Sequence, residues 1–318
     1  MSIEDQILNL KQQNKAVILA HYYEEGAIQD IADYVGDSLY LAQISEKIEA
    51  PVVLMSGVVF MAESVKILSP TKKVLVPDTN AGCSLVDHSP FDKYLEWRLN
   101  NPEAIMVSYV NSSAEVKSIT DVTCTSTNAE KIIQAIPKDR KVLFGPDRNL
   151  GHYLVKKTGR KMELWPGSCE VHVLFSARKL YELKSEHPDA IVLAHPECIE
   201  AVLEYADVIG STSKLIKEVQ TNPAKKFIVA TESGIFHEMK KHRKDAELMQ
   251  APAEGSCACN ECPYMKLNTL EKIKMALETN QYEVYLKSEI IDKARVPLKR
   301  MMQITNGEDI IWPQRFDL

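Results

Sequence analysis

The chain has 318 residues, of which 45% are hydrophobic and 26% charged, and this composition excludes a disordered, collagen-like or coiled-coil protein. The net charge of −6 disfavours nucleic acid as a partner, since nucleic-acid-binding proteins carry a basic excess, although helix ends and hydroxyl groups can still bind a small anion. No apolar run approaches the roughly 20 residues that span a bilayer and the first residues lack the apolar core of a signal peptide, so we expect a cytoplasmic protein with no membrane partner.

The predicted elements begin with an amphipathic helix over 1–15 and then follow an internal repeat. Three apolar, β-branched runs lie at nearly equal spacing, and each ends abruptly in polar residues. This pattern is typical of a strand that is buried on both faces of a parallel sheet. The runs are AVILAHYYEEG at 16–26, AIMVSYVNSSA at 104–114 and AIVLAHPECIE at 190–200.

A hydroxyl residue follows each of these runs at a matched position, where a helix is predicted to begin: Ser38, Ser126 and Thr212. Serine and threonine are favoured N-cap residues because the side-chain oxygen accepts a hydrogen bond from an exposed backbone N–H, so we expect a capping role. A further apolar strand comes next in each repeat, at 51–57, 140–147 and 225–234.

Each third of the chain therefore reads β-α-β-α-β-α-β, which predicts an α/β fold. We expect three pseudo-symmetric α/β domains, each with a short, mostly parallel four-stranded sheet flanked by helices. Ligands bind outside the carboxyl ends of parallel strands, so three such units would pool their strand ends in one central pocket. The predicted boundaries are 1–103, 104–189, 190–275 and a helical capping tail at 276–318.

Each unit closes on a cysteine in a polar loop: Cys83, Cys169 and Cys262. The chain has seven cysteines, an odd number that excludes a fully paired disulfide framework. One thiolate from each unit would meet near the pseudo-threefold axis, where the three could bind zinc or an iron–sulfur cluster. Three ligands on a 4Fe–4S cluster would leave one iron free to bind a substrate oxygen as a Lewis acid.

The other cysteines carry a weaker signal. Cys257 and Cys259 precede Cys262 in a C-x-C-x₂-C run, which is compatible with a zinc knuckle, a redox pair or a cluster loop. Cys124 and Cys198 lie inside predicted elements, and we expect both to be buried, inert thiols.

Ten short strings spread over nearly the whole chain match one known family. They are AHYYE (20–24), GDSLYLA (36–42), PDTNAGCSL (77–85), YVNSSAEVKS (109–118), CTSTNA (124–129), PDRNLG (146–151), HPEC (195–198), GST (210–212), ATESG (230–234) and CPYMKLNTL (262–270). Through them the sequence resembles the quinolinate synthase family, the A protein of bacterial and archaeal NAD biosynthesis. The resemblance implies three α/β domains around a central 4Fe–4S cluster, with Cys83, Cys169 and Cys262 as its ligands.

The implied activity is that of a transferase, which condenses iminoaspartate with dihydroxyacetone phosphate to give quinolinate, phosphate and two waters. The open iron would act as a Lewis acid in dehydration, since the overall reaction is redox-neutral. Iminoaspartate hydrolyses in water, so a functional link to an aspartate oxidase or dehydrogenase is implied. Some relatives have a C-x₂-C-x₂-C run, whereas here Ser256 stands at its first position, which puts a redox switch in doubt.

The two implied substrates together carry two carboxylates and a phosphate, and the site has to bind all three groups. By resemblance, Ser38 and Ser126 hold the triose phosphate, and their places at helix starts suit an anion. Ser211 and Thr212 form the third such helix start and would take a carboxylate.

Side chains that end the second-unit strand, Tyr109 and Asn111, would hydrogen-bond the other carboxylate or the nascent ring, with the backbone of Val110 contributing. His21 and His195 end the matching strands of units one and three, and an imidazole can bind an anion or shuttle a proton. For His172 two interpretations stay open: a wall of the pocket, or support for the cluster loop.

Glu197 is the best candidate for a general base, because it is the sole carboxylate in the strand end His195–Pro196–Glu197, which as a whole is predicted to contact substrate. The alternative is an acidic residue that simply favours a helix N-terminus. The implied reaction also includes a keto–aldehyde isomerisation, in which Tyr23 is the predicted partner of Glu197. Tyr22 is expected to pack against other side chains, and Glu24 to be solvated.

Two other functions remain open from the residues. Another 4Fe–4S-dependent hydro-lyase would share the open iron but need no triose phosphate. A non-enzymatic iron–sulfur or zinc sensor would need an output element such as a basic DNA-reading helix. The basic run KKHRK at 240–244 is too short for that and is interpreted as a solvated face.

Overall fold

The structure is a computed structural model that describes residues 1–255 and 260–316. It contains three separate four-stranded sheets with parallel pairing, one in each repeat of the sequence, and the predicted α/β fold is confirmed. We call the parts of the chain that carry these sheets the first, second and third units. Within the described ranges, no helix is both long enough and apolar enough to cross a bilayer.

The first unit carries the sheet nearest the N-terminus. Its strands are β1 (Ala16–His21), β2 (Tyr34–Gly36), β3 (Val52–Ser56) and β4 (Lys73–Leu75). Its helices are α1 (Ile3–Gln13), α2 (Gly26–Ile31), α3 (Ser38–Lys47), α4 (Val59–Leu68), α5 (Ser84–Asp87) and α6 (Phe91–Leu99). Ile18 and Leu19 of β1 point to opposite faces and are both fully buried, as expected for a strand covered by helices on both sides.

The second unit repeats this arrangement. Its strands are β5 (Ile105–Tyr109), β6 (Val122–Cys124), β7 (Val142–Gly145) and β8 (Glu163–Leu164). Its helices are α7 (Ala114–Ser118), α8 (Ala129–Ala135) and α9 (Arg148–Thr158), with a 3₁₀ turn at His172–Leu174.

The third unit follows α10 (Ala177–Glu186). Its strands are β9 (Ile191–Ala194), β10 (Val208–Ile209), β11 (Lys226–Ala230) and β12 (Glu247–Gln250). Its helices are α11 (Glu200–Leu203), α12 (Thr212–Thr221) and α13 (Ile235–His242), followed by a 3₁₀ turn at Met265–Leu267.

The chain ends in two helices, α14 (Leu270–Thr279) and α15 (Ser288–Asn306), which pack on other parts of the molecule. α14 packs against α1, while α15 packs against α4 of the first unit and against α7 and β6 of the second. Leu298 and Met301 of α15 are fully buried, so this helix ties two units together.

All three sheets have the same strand order: β2-β1-β3-β4, β6-β5-β7-β8 and β10-β9-β11-β12. In each sheet the first strand lies between the second and the third, so the chain leaves it on one side and returns on the other. The gap between the carboxyl ends of the first and third strands is the topological switch point, where open parallel sheets bind ligands. The polar residues that follow β1, β5 and β9 therefore stand at three equivalent switch points.

A hydrogen-bond pair near the start of the first strand also repeats in every unit. An aspartate before the second strand accepts a backbone N–H of the first strand and donates its own N–H to the carbonyl of that same residue. The accepting distances are 2.8 Å from Ile18 to Asp33, 2.7 Å from Met106 to Asp121 and 2.8 Å from Val192 to Asp207.

Candidate functional site

One pocket lies where the carboxyl ends of the three sheets meet. Side chains from all three units line it, because each unit contributes the residues that follow its first strand. The predicted residues that line it are His21, Tyr23, Ser38, Cys83, Tyr109, Asn111, Ser126, Cys169, His172, His195, Glu197, Thr212 and Cys262.

Three predicted residues lie beside this pocket rather than on its wall. Val110 lines a small neighbouring cavity, and its N–H donates to the carbonyl of Cys124 at 2.8 Å. Ser211 is buried and its hydroxyl accepts the Lys214 N–H, at 3.4 Å. Pro196 is buried within the turn after β9.

The repeated hydroxyls are not helix caps, and this part of the prediction was wrong. Ser38 is the first residue of α3, and the cap is Asp37, whose Oδ1 accepts the Tyr40 N–H at 2.9 Å. Ser126 lies in the turn three residues before α8. Thr212 is likewise the first residue of its helix, and the cap there is the preceding serine. The hydroxyls are consequently free of capping bonds and line the pocket.

Asp37 joins the three units at a single carboxylate. Its Oδ2 accepts hydroxyl hydrogen bonds from Thr127 of the second unit at 3.0 Å and from Ser213 of the third at 2.7 Å. Each donor directly follows one of the repeated hydroxyl residues in the chain. This carboxylate therefore fixes how the three helix starts are placed around the pocket.

The three repeat-matched cysteines form the sulfur side of the pocket. Burial raises the pKa of all three thiols, to about 11 for Cys262, so without a metal they stay protonated at neutral pH. A bound metal reverses this, because it takes the thiolate and releases the proton. Three thiols from three units, meeting at one pocket, fit the ligand set of an iron–sulfur cluster.

A second, mixed set of donors lies beside them. The ligand atoms of Cys169, His172 and Glu197 all lie within 4.8 Å of one another. In this set, however, His172 Nδ1 is 2.8 Å from Glu197 Oε2, a distance that is already a good hydrogen bond. The all-sulfur set is the better fit for a cluster, and Cys169 belongs to both.

Two of the remaining cysteines do not line the pocket. Cys124 and Cys198 are both fully buried, as expected, and burial raises the pKa of each thiol. Cys257 and Cys259 lie outside the described residues, as does Ser256.

A continuous chain of hydrogen bonds links Tyr23 to Glu197. Tyr23 Oη lies 2.6 Å from Thr231 Oγ1, which in turn lies 2.9 Å from His172 Nε2. His172 Nδ1 then donates to Glu197 Oε2. With a neutral imidazole, Tyr23 donates to Thr231 and Thr231 donates to His172, so every donor in the chain has an acceptor. The chain crosses from the first unit to the third, to the second and back to the third.

The histidines at the strand ends are held neutral. Burial lowers the pKa of His21 to about 4 and that of His195 to about 3, against the raising effect of nearby carboxylates. His195 Nδ1 accepts the Glu197 N–H at 3.4 Å, and its Nε2 lies 3.2 Å from Ser126 Oγ, to which it donates. At neutral pH these imidazoles thus act as hydrogen-bonding groups rather than as cations.

Glu197 is almost fully buried and ionised. Burial alone would raise its pKa, but His195 and His172 outweigh this effect and lower the pKa to about 2. A stronger general base would need a pKa raised toward neutral pH, so the lowered pKa makes Glu197 a weak base. Its Oε1 has no hydrogen-bond partner within the described part of the chain, and the same is true of Asn111 Oδ1, so both oxygens are available to a ligand.

Sequence reasoning missed Thr231 and misplaced Glu24. Thr231 occurs in the ATESG string, but nothing in that string shows that its hydroxyl bridges Tyr23 and His172. Glu24, expected to be solvated, is fully buried, and burial raises its pKa to about 8. Its Oε1 accepts from Asn268 Nδ2 at 2.8 Å, a partner 244 residues away that no local pattern could indicate.

A larger cleft of about 720 Å³ lies on the outside, between α9 and α12. Two of its three lysines are engaged within the protein: Lys156 pairs with Glu200 at 2.9 Å and Lys214 donates to the carbonyl of Ile209 at 2.9 Å. None of the predicted site residues lines it, so the central pocket is the candidate active site.

Comparison with known proteins gives one consistent result. The family model described as quinolinate synthetase A protein matches residues 5–303. The quinolinate synthase of Nostoc punctiforme is 50% identical over 94% of this chain and 92% of its own length. Those of a Synechocystis species and of Chloroherpeton thalassium are 48% and 47% identical, over 94% and 96% of this chain and 94% and 95% of their own. The chain therefore belongs to the quinolinate synthetase A protein family.

Proposed function

We propose that this chain condenses iminoaspartate with dihydroxyacetone phosphate and releases quinolinate, phosphate and two waters, as a transferase. Quinolinate synthase function, and with it a place among the enzymes of NAD biosynthesis, follows from the family. One observation supports the finer proposal most strongly: the three repeat-matched thiols line the same pocket as Tyr23, His172 and Glu197 of the hydrogen-bond chain.

Cys83, Cys169 and Cys262 would hold a 4Fe–4S cluster. When bound, a cluster with three protein ligands supplies a Lewis-acidic iron that assists the loss of water. Around it the chain provides a largely buried wall, with Met61, Val171 and Met265 among its apolar members. This wall keeps bulk water away from an imine that hydrolyses readily.

Anion binding in this pocket would depend on hydrogen bonds and helix dipoles. The described wall includes no lysine or arginine, and the imidazoles of His21 and His195 are neutral. The N-terminal end of α3 brings Ser38, and the turn before α8 brings Ser126, to the position proposed for the phosphate. The N-terminal end of α12 brings Thr212 to the position proposed for a carboxylate.

The second-unit strand end would bind the other carboxylate or the nascent ring, through Tyr109 and Asn111. Asn111 Oδ1 can only accept, so it would bind an N–H of the imine or enamine, while the amide nitrogen donates to a carboxylate.

Protons would move along the chain from Tyr23 to Glu197. Glu197 is ionised and its Oε2 accepts the His172 N–H, so Oε2 is the atom that would receive a proton passed along this hydrogen-bond chain. When Tyr23 Oη takes a proton from substrate, it would release its own proton to Thr231, Thr231 would release its proton to His172 Nε2, and His172 would release its Nδ1 proton to Glu197 Oε2. Oε1, which has no partner among the described residues, would stay available to a substrate group.

The substrate iminoaspartate has to be supplied by oxidation of aspartate, because the imine does not persist in water. We therefore propose an aspartate oxidase or dehydrogenase as the functional partner. Its link to this chain is through the metabolite and needs no stable complex.

The test is turnover by protein purified without oxygen, with iminoaspartate generated in the assay. We expect quinolinate and phosphate in equal amounts, and neither product when one of the two substrates is left out. Phosphate release without iminoaspartate would contradict the proposal. Hydration or dehydration of a simple hydroxy acid, without any need for triose phosphate, would indicate the hydro-lyase instead.

A further inference from the structure

Two buried carboxylates occupy matched positions that the proposed reaction does not use. Asp147 stands two residues after β7, and Glu232 stands two residues after β11, so the two are equivalent in the second and third units. Both are fully buried, and neither lines the pocket. Burying a carboxylate is costly unless it is hydrogen-bonded, so their partners indicate what they do.

Asp147 binds the loop that carries Cys169. Its Oδ2 accepts the backbone N–H of Cys169 at 3.0 Å, and its Oδ1 accepts the N–H of Leu150 at 2.7 Å, which caps α9. The next residue, Arg148, donates its N–H to the carbonyl of Gly167 at 2.8 Å. The cysteine loop is thus fastened to the end of β7 at two points.

Glu232 does the same for the loop that carries Cys262. Its Oε1 accepts the backbone N–H of Cys262 at 3.3 Å, and its Oε2 accepts the N–H of Gly234 at 2.6 Å. Lys266 lies 3.2 Å from the same Oε1 and also donates to the backbone carbonyl of Tyr23, at 2.9 Å. The carboxylate therefore connects the cysteine loop, through one lysine, to the chain segment that carries Tyr23.

The first unit uses a different device. The matched residue there is Val58, and the next residue, Val59, donates its N–H to the carbonyl of Ala81 at 2.7 Å. This backbone bond fastens the Cys83 loop without a carboxylate. Two of the three cysteine loops are thus held through a buried carboxyl group and one through a backbone bond alone.

We propose that Asp147 and Glu232 are positioning residues that fix the backbone of Cys169 and Cys262 for cluster binding. The proposal rests on the ligand set given under the proposed function. Each carboxyl group has two oxygens and can accept two backbone N–H groups at once, so one side chain holds the cysteine loop and the end of the neighbouring strand in one geometry. Their recurrence at the same position of two units, each on the cysteine of its own unit, distinguishes them from ordinary buried carboxylates.

The experiment compares Asp147→Asn and Glu232→Gln with the wild type, all purified without oxygen and carrying the cluster. An amide has one oxygen acceptor in place of two, so each variant loses one of its two backbone bonds with almost no change in volume. Asp207→Asn is the control, because Asp207 also accepts a backbone N–H of the third unit, but near the start of β9, at the opposite end of that strand from the pocket residues. The readouts are iron release to a chelator, the electron paramagnetic resonance spectrum of the reduced cluster, and thermal unfolding.

We expect iron release to be faster by roughly tenfold in both variants, the effect of losing one buried hydrogen bond, with an altered spectrum. Asp207→Asn should release iron at the wild-type rate. Wild-type rates and spectra in both variants would overturn the positioning role, and so would equally fast release from the control. Failure of the ligand set itself is distinguished by iron content. If the wild type assembles no cluster, or if Cys169→Ala holds as much iron as the wild type, the proposed ligand set is wrong and the positioning role falls with it.

Discussion

The chemistry of the pocket depends on the protonation states of a few buried side chains. Burial would raise the pKa of Glu197, but the nearby His195 and His172 outweigh this effect and keep the carboxylate ionised, whereas burial lowers the pKa of His195 and keeps that imidazole neutral. The sequence identified Glu197, His195 and Tyr23 from their places at strand ends. It could not show that Thr231 and His172 connect them, because those hydrogen bonds join residues from three different units.

Replacement of Glu197 by glutamine tests its role as the proton acceptor. Glu197→Gln keeps the volume and one acceptor oxygen, so folding and cluster content should stay unchanged, while kcat falls by roughly a hundredfold or more. Steady-state turnover together with iron content measures both. Glu200→Gln, at an exposed residue of α11, is the control and should turn over normally. If Glu197→Gln turns over within a factor of a few of the wild type, Glu197 is not the acceptor.

The lowered pKa of His21 predicts how stability depends on pH. The unfolded chain binds a proton at the ordinary pKa of 6.5, whereas the folded protein does so only at about 4. Between these values the unfolded state holds more protons, so the free energy of unfolding falls as the pH drops from 6.5 to 4, by roughly 3 kcal/mol.

His21→Gln should remove this part of the pH dependence, as measured by urea unfolding across the same range. His152→Gln, at an exposed histidine of α9, is the control and should leave the dependence as it is. An unchanged slope in His21→Gln would show that other groups dominate acid destabilisation.

At the scale of elements, the sequence indicated the strands better than the helix starts. A strand buried on both faces has an apolar run with an abrupt polar end, and all three runs became central strands. The capping prediction failed at Ser38, Ser126 and Thr212 because a helix start that differs by one or two residues changes which side chain caps. A hydroxyl pattern alone does not fix that position.

The repeated aspartates predict unequal effects of one substitution. Asp121 Oδ2 also accepts from Arg98, at 2.7 Å, and that guanidinium is fully buried. Asp121→Asn should therefore destabilise the fold by about 3–5 kcal/mol, because it leaves a buried cation without its anion.

Asp207→Asn makes the same chemical change at the matched position, where the nearest cation, Lys184, lies 3.8 Å away and is partly exposed. Its free energy of unfolding should fall by about 1 kcal/mol. Chemical denaturation of both variants measures the difference. Equal losses would mean that the buried pair with Arg98 adds no more than the strand hydrogen bond.

For the whole molecule, the threefold repeat carried most of the prediction. Matched cysteines in three polar loops indicated a common pocket, and in the structure all three cysteines line the same pocket. Contacts between units could not be predicted, since the carboxylate of Asp37, the Tyr23–Glu197 chain and the docking of α15 all join residues far apart in sequence. Local patterns describe each unit and leave their arrangement open.

Each unit is proposed to supply one cysteine sulfur to a shared cluster, and counting the iron and sulfide bound per chain tests this most directly. Protein purified without oxygen should hold about four iron and four sulfide per chain. Single alanine substitutions of Cys83, Cys169 and Cys262 should each abolish the cluster, whereas Cys124→Ala, at a fully buried cysteine away from the pocket, should keep it. A full complement of iron and sulfide in any of the three variants would contradict the account.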